Sequence, residues 1–183
     1  GGRMKLQMIG CSHHDTAVEF RERVAFTGDE VGDALEAFRR RFPKGELVLL
    51  STCNRTELYT TTDDEGELDR DAVVSFLAEQ HQMTADEVVD QMIYRSGHDA
   101  VEHLFTVASS LDSMVIGESQ ILSQVKQAYD KACDSGSAGP LTHAVFQAAN
   151  HAAKRVQNET DIHRRRVSVP SVAVGEVVPE VFD

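Results

Sequence analysis

Two runs of β-forming residues, held apart by a polar stretch that contains a cysteine, constrain this chain more than any other feature. Leu47-Val48-Leu49-Leu50 follows the breaker Pro43-Lys44-Gly45 and reads as a short strand, and Leu58 to Thr61 reads as another. Between them stand Ser51, Thr52, Cys53, Asn54, Arg55, Thr56 and Glu57. A packing cysteine keeps apolar company, and Cys53 has none, so it falls at a strand end or on a short loop. A free thiol is only about 3% thiolate at neutral pH unless positive charge or hydrogen-bond donors stabilise the anion. Arg55, two residues on, carries such a charge. The residues alone leave two readings open: an inert thiol beside an arginine, and a nucleophile.

Length and charge narrow the classes. A chain of 183 residues makes one large domain or two small ones with a real core. There is no apolar run long enough to cross a membrane and no signal segment, so the reading is a soluble cytoplasmic protein with no membrane partner. Cys11, Cys53 and Cys133 are widely spaced, neither a disulfide framework nor a metal set, so free thiols and no metal are expected. The net charge of -12 disfavours a nonspecific polynucleotide binder. With only Lys5, Lys44, Lys126, Lys131 and Lys154 as lysines, the acidic surface suits a high-salt cytoplasm.

The periodicities give an order of elements. Lys5 to Ile9 reads as a first strand, followed by a polar loop with His13 and His14. Thr27 to Glu30 is a capping box for a helix reaching about Phe42, and a right-handed crossover then pairs the first strand with the cysteine strand in parallel. Leu68 to Leu77 marks another helix, Thr84 to Glu87 caps a short one, and Met92 to Tyr94 adds a strand. From Asp99 the pattern is helical: one helix to Leu111 with Ser96 and Asp99 as a capping pair, one from about Glu118 to Ser135, and one over Leu141 to Val156. The expected class is α+β, a small three- to four-stranded sheet with helices on one face (about 4–96) followed by a helical subdomain (about 97–155) and a connection over 156–183.

Ser51-Thr52-Cys53-Asn54-Arg55-Thr56-Glu57-Leu58-Tyr59 resembles, residue for residue, the signature around the catalytic cysteine of glutamyl-tRNA reductases. Asp99-Ala100-Val101-Glu102-His103-Leu104 and Ala108 to Leu122 are similar to a second segment of that family, with Ser119 where Pro or Gly is common. Gly10, His13, Arg21-Glu22 and Phe26 match its amino-terminal pattern, with Ala17 where a Pro is common. The segments Lys154 to Val156 and Glu159 to Ile162 extend the resemblance over nearly the whole chain.

The resemblance implies an enzyme of the five-carbon route to tetrapyrroles. The thiolate of Cys53 attacks the ester of glutamyl-tRNA, and a hydride from NADPH reduces the resulting thioester to glutamate semialdehyde. His103 is then the proton handler. Thr52, Asn54, Arg55, Ser113, Glu118, Ser119, Gln120 and Gln124 line the glutamyl pocket, with Arg55 on a substrate carboxylate and Glu118 on the ammonium. The implied partners are glutamyl-tRNA, a downstream aminomutase and a second subunit in a homodimer of the full-length enzyme. There is no G-x-G-x-x-G, so the NADPH site is expected in a further domain, leaving this polypeptide with acylation and slow ester hydrolysis. Arg164-Arg165-Arg166 suits either a tRNA backbone or a linker anchor. Two other classes stay open on the residues: another cysteine hydrolase or thioesterase, and a noncatalytic tRNA-binding module.

Overall fold

The computed structural model describes residues 4–62, 66–109 and 120–173, with side chains as far as Glu159. In chain order the elements are β1 (Lys5–Ser12), α1 (Val18–Val24), α2 (Gly28–Arg41), β2 (Leu47–Ser51), β3 (Arg55–Thr62), α3 (Arg70–Gln80), α4 (Ala85–Val89), β4 (Ile93–Ser96), α5 (His98–Ala108), α6 (Ile121–Ser135) and α7 (Pro140–Ala173).

The sheet runs β2-β3-β1-β4 with every neighbouring pair antiparallel. The expected parallel pair of β1 and β2 therefore does not form, because β3 lies between them. Only Thr52, Cys53 and Asn54 separate β2 from β3, and so short a link closes an antiparallel hairpin. The eight-residue β3 then matches the eight-residue β1 along its whole length, from Lys5 opposite Thr62 to Ser12 opposite Arg55. The result is a split β-α-β arrangement.

Alternation of side chains across the strands gives the sheet two apolar faces. Ile9, Cys11, Leu47, Leu49 and Leu58 pack with Phe38, Phe76 and Leu77 from the helices α1 to α4. Leu6, Met8, Val48, Leu50 and Tyr59 pack with Leu104, Val125 and Phe146 from α5 to α7. The α+β class holds, with α1 to α4 on one face and the helical part laid across the other. Phe38, wholly buried, contributes about 2–3 kcal/mol through burial alone.

The capping boxes at Thr27 and Thr84 both form. The pair Ser96 and Asp99 does not cap α5. Ser96 is engaged in β4 opposite Gln7, and the helix instead starts from Gly97, whose φ of 61° lies in the left-handed region. Gly136, also left-handed, ends α6. Helix α7 continues through Val156 to Ala173, so the expected boundary at residue 155 falls inside one continuous helix. Its first turn is pinned to the sheet by Glu46. Oε1 of that residue accepts from the Thr142 N–H at 2.8 Å and its hydroxyl at 2.7 Å. A carboxylate so placed satisfies helix donors and favours the positive end of the dipole. No described helix is long and apolar enough to cross a membrane.

Candidate active site

The hairpin between β2 and β3 carries the cysteine outward. Thr52 closes the turn with its N–H on the Arg55 carbonyl at 2.8 Å, and its hydroxyl accepts from the Asn54 N–H at 3.1 Å. The Asn54 carbonyl is tied to β1 by the His13 N–H at 2.9 Å. Thr52 and Asn54 are half-buried supports, and Cys53 at the tip is exposed. The polar composition legible in the sequence thus builds a braced, accessible thiol. Cys133 is also exposed, on α6. Cys11 differs from both: burial pushes its thiol up to about 11 against the hydrogen bonds of Thr56 and Thr16 and the charge of Arg21, so it stays protonated and inert near neutral pH.

From Arg55 the strand turns inward. Arg55, Glu57 and Tyr59 alternate along β3 and meet at one carboxylate. Glu57 Oε1 accepts from the Tyr59 hydroxyl at 2.7 Å, while Oε2 accepts from Arg55 Nη1 at 3.2 Å. Oε2 also lies 2.7 Å from His103 Nε2, which α5 delivers from the far side. Arg55 and Glu57 are almost fully buried, and the His103 side chain is 21% exposed. Burial pushes the Glu57 carboxyl up, but the His103 hydrogen bond and charge, Arg55 and Tyr59 outweigh it and hold the group below the usual carboxylate range. Glu57 is therefore an anion, and an anion only accepts. Nε2 of His103 is therefore the donor in this contact, which leaves Nδ1 for proton exchange.

His103 and Glu57 open on a cavity of about 240 Å³, whose wall includes Ser12, His14, Asp15 and Arg95. Gly10 is needed beneath it. A Cβ there would lie 2.6 Å from the Thr56 carbonyl oxygen and 2.8 Å from Glu57 Cγ.

Of the expected site residues, the structure gathers Thr52, Cys53, Asn54 and Arg55 on one hairpin and strand, and joins His103 to Arg55 through Glu57. The guanidinium of Arg55, expected on a substrate carboxylate, is 1% exposed and pairs with Glu57. Gln120 is the exposed residue preceding α6, and Gln124 is half-buried one turn on. Ser113, Glu118 and Ser119 lie outside the described residues, as do the side chains of Arg164, Arg165 and Arg166. Sequence reasoning passed over Glu57. Its signal was the period-two placement of Arg55, Glu57 and Tyr59, a charged residue on an otherwise core-facing side.

The family model for the glutamyl-tRNAGlu reductase N-terminal domain matches residues 9–160. A glutamyl-tRNA reductase of Rhodopirellula baltica is 60% identical over 180 residues, covering 98% of this chain and 42% of the relative. One from Pseudomonas putida is 44% identical over 171 residues, covering 93% of this chain and 40% of the relative. The solved glutamyl-tRNA reductase from Methanopyrus kandleri superposes with a TM-score of 0.69 at 35% identity, over 96% of this chain and 40% of that one. The chain thus spans about two fifths of the length of these relatives.

Proposed function

This chain belongs to the glutamyl-tRNA reductase family, matching its N-terminal domain, and from that premise we propose that it captures the glutamyl group of glutamyl-tRNA as a thioester on Cys53. The observation that carries the reading is the braced, exposed Cys53 on a hairpin whose second strand leads directly into the Arg55–Glu57–His103 network. The Cys53 thiolate attacks the ester carbonyl, the carbon–oxygen bond to the ribose breaks, and the tRNA leaves with its hydroxyl restored. His103 supplies the proton traffic. With Nε2 held by Glu57, its Nδ1 takes the proton that the Cys53 thiol loses on becoming the thiolate and then gives it to the departing ribose oxygen. Glu57 positions the ring and balances the imidazolium charge as it forms, the part played by the acid of a hydrolytic triad. Thr52 and Asn54 hold the thiol's hairpin. Gln120 and Gln124, with Ser113, Glu118 and Ser119, are the residues we assign to the glutamyl group, while Arg55 stays on Glu57 as part of the buried network.

Reduction of the thioester draws on NADPH, which supplies a hydride. The described residues do not fit a dinucleotide. All strand pairings are antiparallel, and the connection from β1 to α1, residues 13–17, holds no glycine for a pyrophosphate to approach. In the whole protein we place the product, a semialdehyde, in tetrapyrrole synthesis in the cytoplasm, with a homodimer and an aminomutase as assembly partners. The test is deacylation of glutamyl-tRNA by the chain alone. Wild type is expected to accelerate it and Cys53→Ser to abolish the acceleration, while equal rates in the two proteins would end the proposal.

A further inference from the structure

Four of the eight buried side-chain polar atoms without a hydrogen-bond partner among the described residues fall in the segment 13–21: both ring nitrogens of His13, Thr16 Oγ1 and Arg21 Nε. More than nine in ten buried polar groups find a partner, so a concentration of orphans at one end of β1 calls for an explanation. Their place is against the Cys53 hairpin, since the His13 N–H holds the Asn54 carbonyl. Thr16 is 9% exposed, and its hydroxyl bears on the thiol of Cys11, a weak hydrogen-bonding group. The His13 ring packs against His14 with centroids 4.0 Å apart and the planes tilted by 39°, and His14 lines the His103 cavity. Arg21, half-buried on α1, bears on the Cys11 thiol through its charge. It has no carboxylate partner among the described residues, in a chain where thirty acids face eighteen bases.

We propose that His13, Thr16 and Arg21 form an anion subsite that takes a phosphodiester of the polynucleotide carrying the acyl group to Cys53. The inference rests on the thioester reading above and adds to it where the leaving group is held. The ester sits on the terminal ribose, and the phosphate of that nucleotide is only a few bonds away. An anion site next to the nucleophile therefore lies where that phosphate must be. A guanidinium forks a phosphate, and an imidazole N–H and a hydroxyl add neutral donors. Elsewhere the acidic surface repels polynucleotide, so one cationic contact at this point fixes register rather than supplying bulk affinity. The side-chain carboxylate of the glutamyl group offers the same anionic chemistry, and the test separates the two.

Binding of a CCA trinucleotide, of unphosphorylated adenosine and of glutamyl adenosine ester is followed by NMR of the His13 ring nitrogens and by affinity at several salt concentrations. Wild type, Arg21→Gln, Arg21→Lys and Thr16→Val are compared. The trinucleotide is expected to shift the His13 ring signals where adenosine does not. Arg21→Gln is expected to weaken trinucleotide binding roughly tenfold and to lower its salt slope by about one, with Arg21→Lys recovering part. Unchanged trinucleotide affinity and slope in Arg21→Gln overturn the subsite, and so do His13 shifts as large with adenosine. An Arg21 effect on the ester equal to that on the trinucleotide assigns the anion to the glutamyl carboxylate and overturns the phosphate. Should Arg21→Gln not fold, the wild-type His13 shifts together with Arg21→Lys and Thr16→Val decide the matter. Wild-type labelling of Cys53 in the same samples keeps the two claims apart: label without an Arg21 effect removes only the subsite, and no label removes the thioester reading.

Discussion

Replacing Glu57 by Gln separates orientation from charge in the buried network. The amide oxygen, turned to the Oε2 side, still accepts from Arg55 and His103, and the amide nitrogen donates to the Tyr59 hydroxyl, so the shape survives. What is lost is one negative charge among groups that are 1% and 2% exposed. Two charge-assisted hydrogen bonds become weaker ones, at about 1 kcal/mol each, and Arg55 loses part of its counter-charge. The sum, about 2–3 kcal/mol, stays below the 3–5 kcal/mol of a wholly broken buried pair. At about 2–4 °C per kcal/mol in a domain of this size, the melting temperature falls by roughly 5–10 °C. Single-turnover acylation slows on the order of a hundredfold, because the imidazolium of His103 forms without its balancing anion. The acid limb of stability also changes. Glu57 is held below its unfolded value, so its contribution is present above about pH 4.3 and is lost as the pH falls through the folded value. The Gln variant lacks that dependence and shows a flatter acid limb. A Gln variant that melts within a degree of wild type and acylates at the same rate would refute the reasoning.

Three further outcomes are expected. His81 packs against Phe26 with ring centroids 4.3 Å apart and the planes tilted by 56°, and burial holds its pKa down against the pull of Glu30. The unfolded chain therefore binds more protons there, and stability falls as the pH drops below about 6.5; melting curves from pH 5 to 8 show the slope, and His81→Phe flattens it. Gly139→Ala places a Cβ 2.7 Å from Glu46 Cδ, dislodges the carboxylate from the start of α7, and costs about 1–2 kcal/mol in chemical denaturation. Cys11→Ala leaves alkylation of Cys53 by iodoacetamide unchanged near neutral pH, because the Cys11 thiol is protonated there; mass spectrometry of the labelled peptides checks it.

The two strands and the short loop that holds Cys53 were legible because their signals are local: two β-forming runs, a breaker before them and a polar insert between; the start of the second strand at Arg55, which makes the pair a hairpin, was not, because polar residues there mask its β pattern. The capping boxes at Thr27 and Thr84 were legible for the same reason. Sheet order was not, since the pairing of β1 with β3 joins Lys5 to Thr62 across the chain, and no local pattern tells a parallel neighbour from an inserted antiparallel one. The cap of α5 misled because Ser96 fits an N-cap by type while its backbone is already committed to β4. Cys53 and His103 carried recognisable motifs. Glu57 did not stand out until His103, 46 residues away in the chain, came within hydrogen-bond distance of it. The orphaned groups at His13, Thr16 and Arg21 are likewise a property of packing, because composition alone does not say which polar atoms are left without partners.

The central claim is a covalent one, and trapping the intermediate tests it most directly. Glutamyl-tRNA labelled on the glutamate is mixed with wild type or Cys53→Ser for a single turnover, quenched in acid and run on a nonreducing gel. The account predicts label on the wild-type protein alone, released by hydroxylamine as a thioester requires. Label that persists in Cys53→Ser, or its absence from wild type while the ester is still consumed, would contradict it.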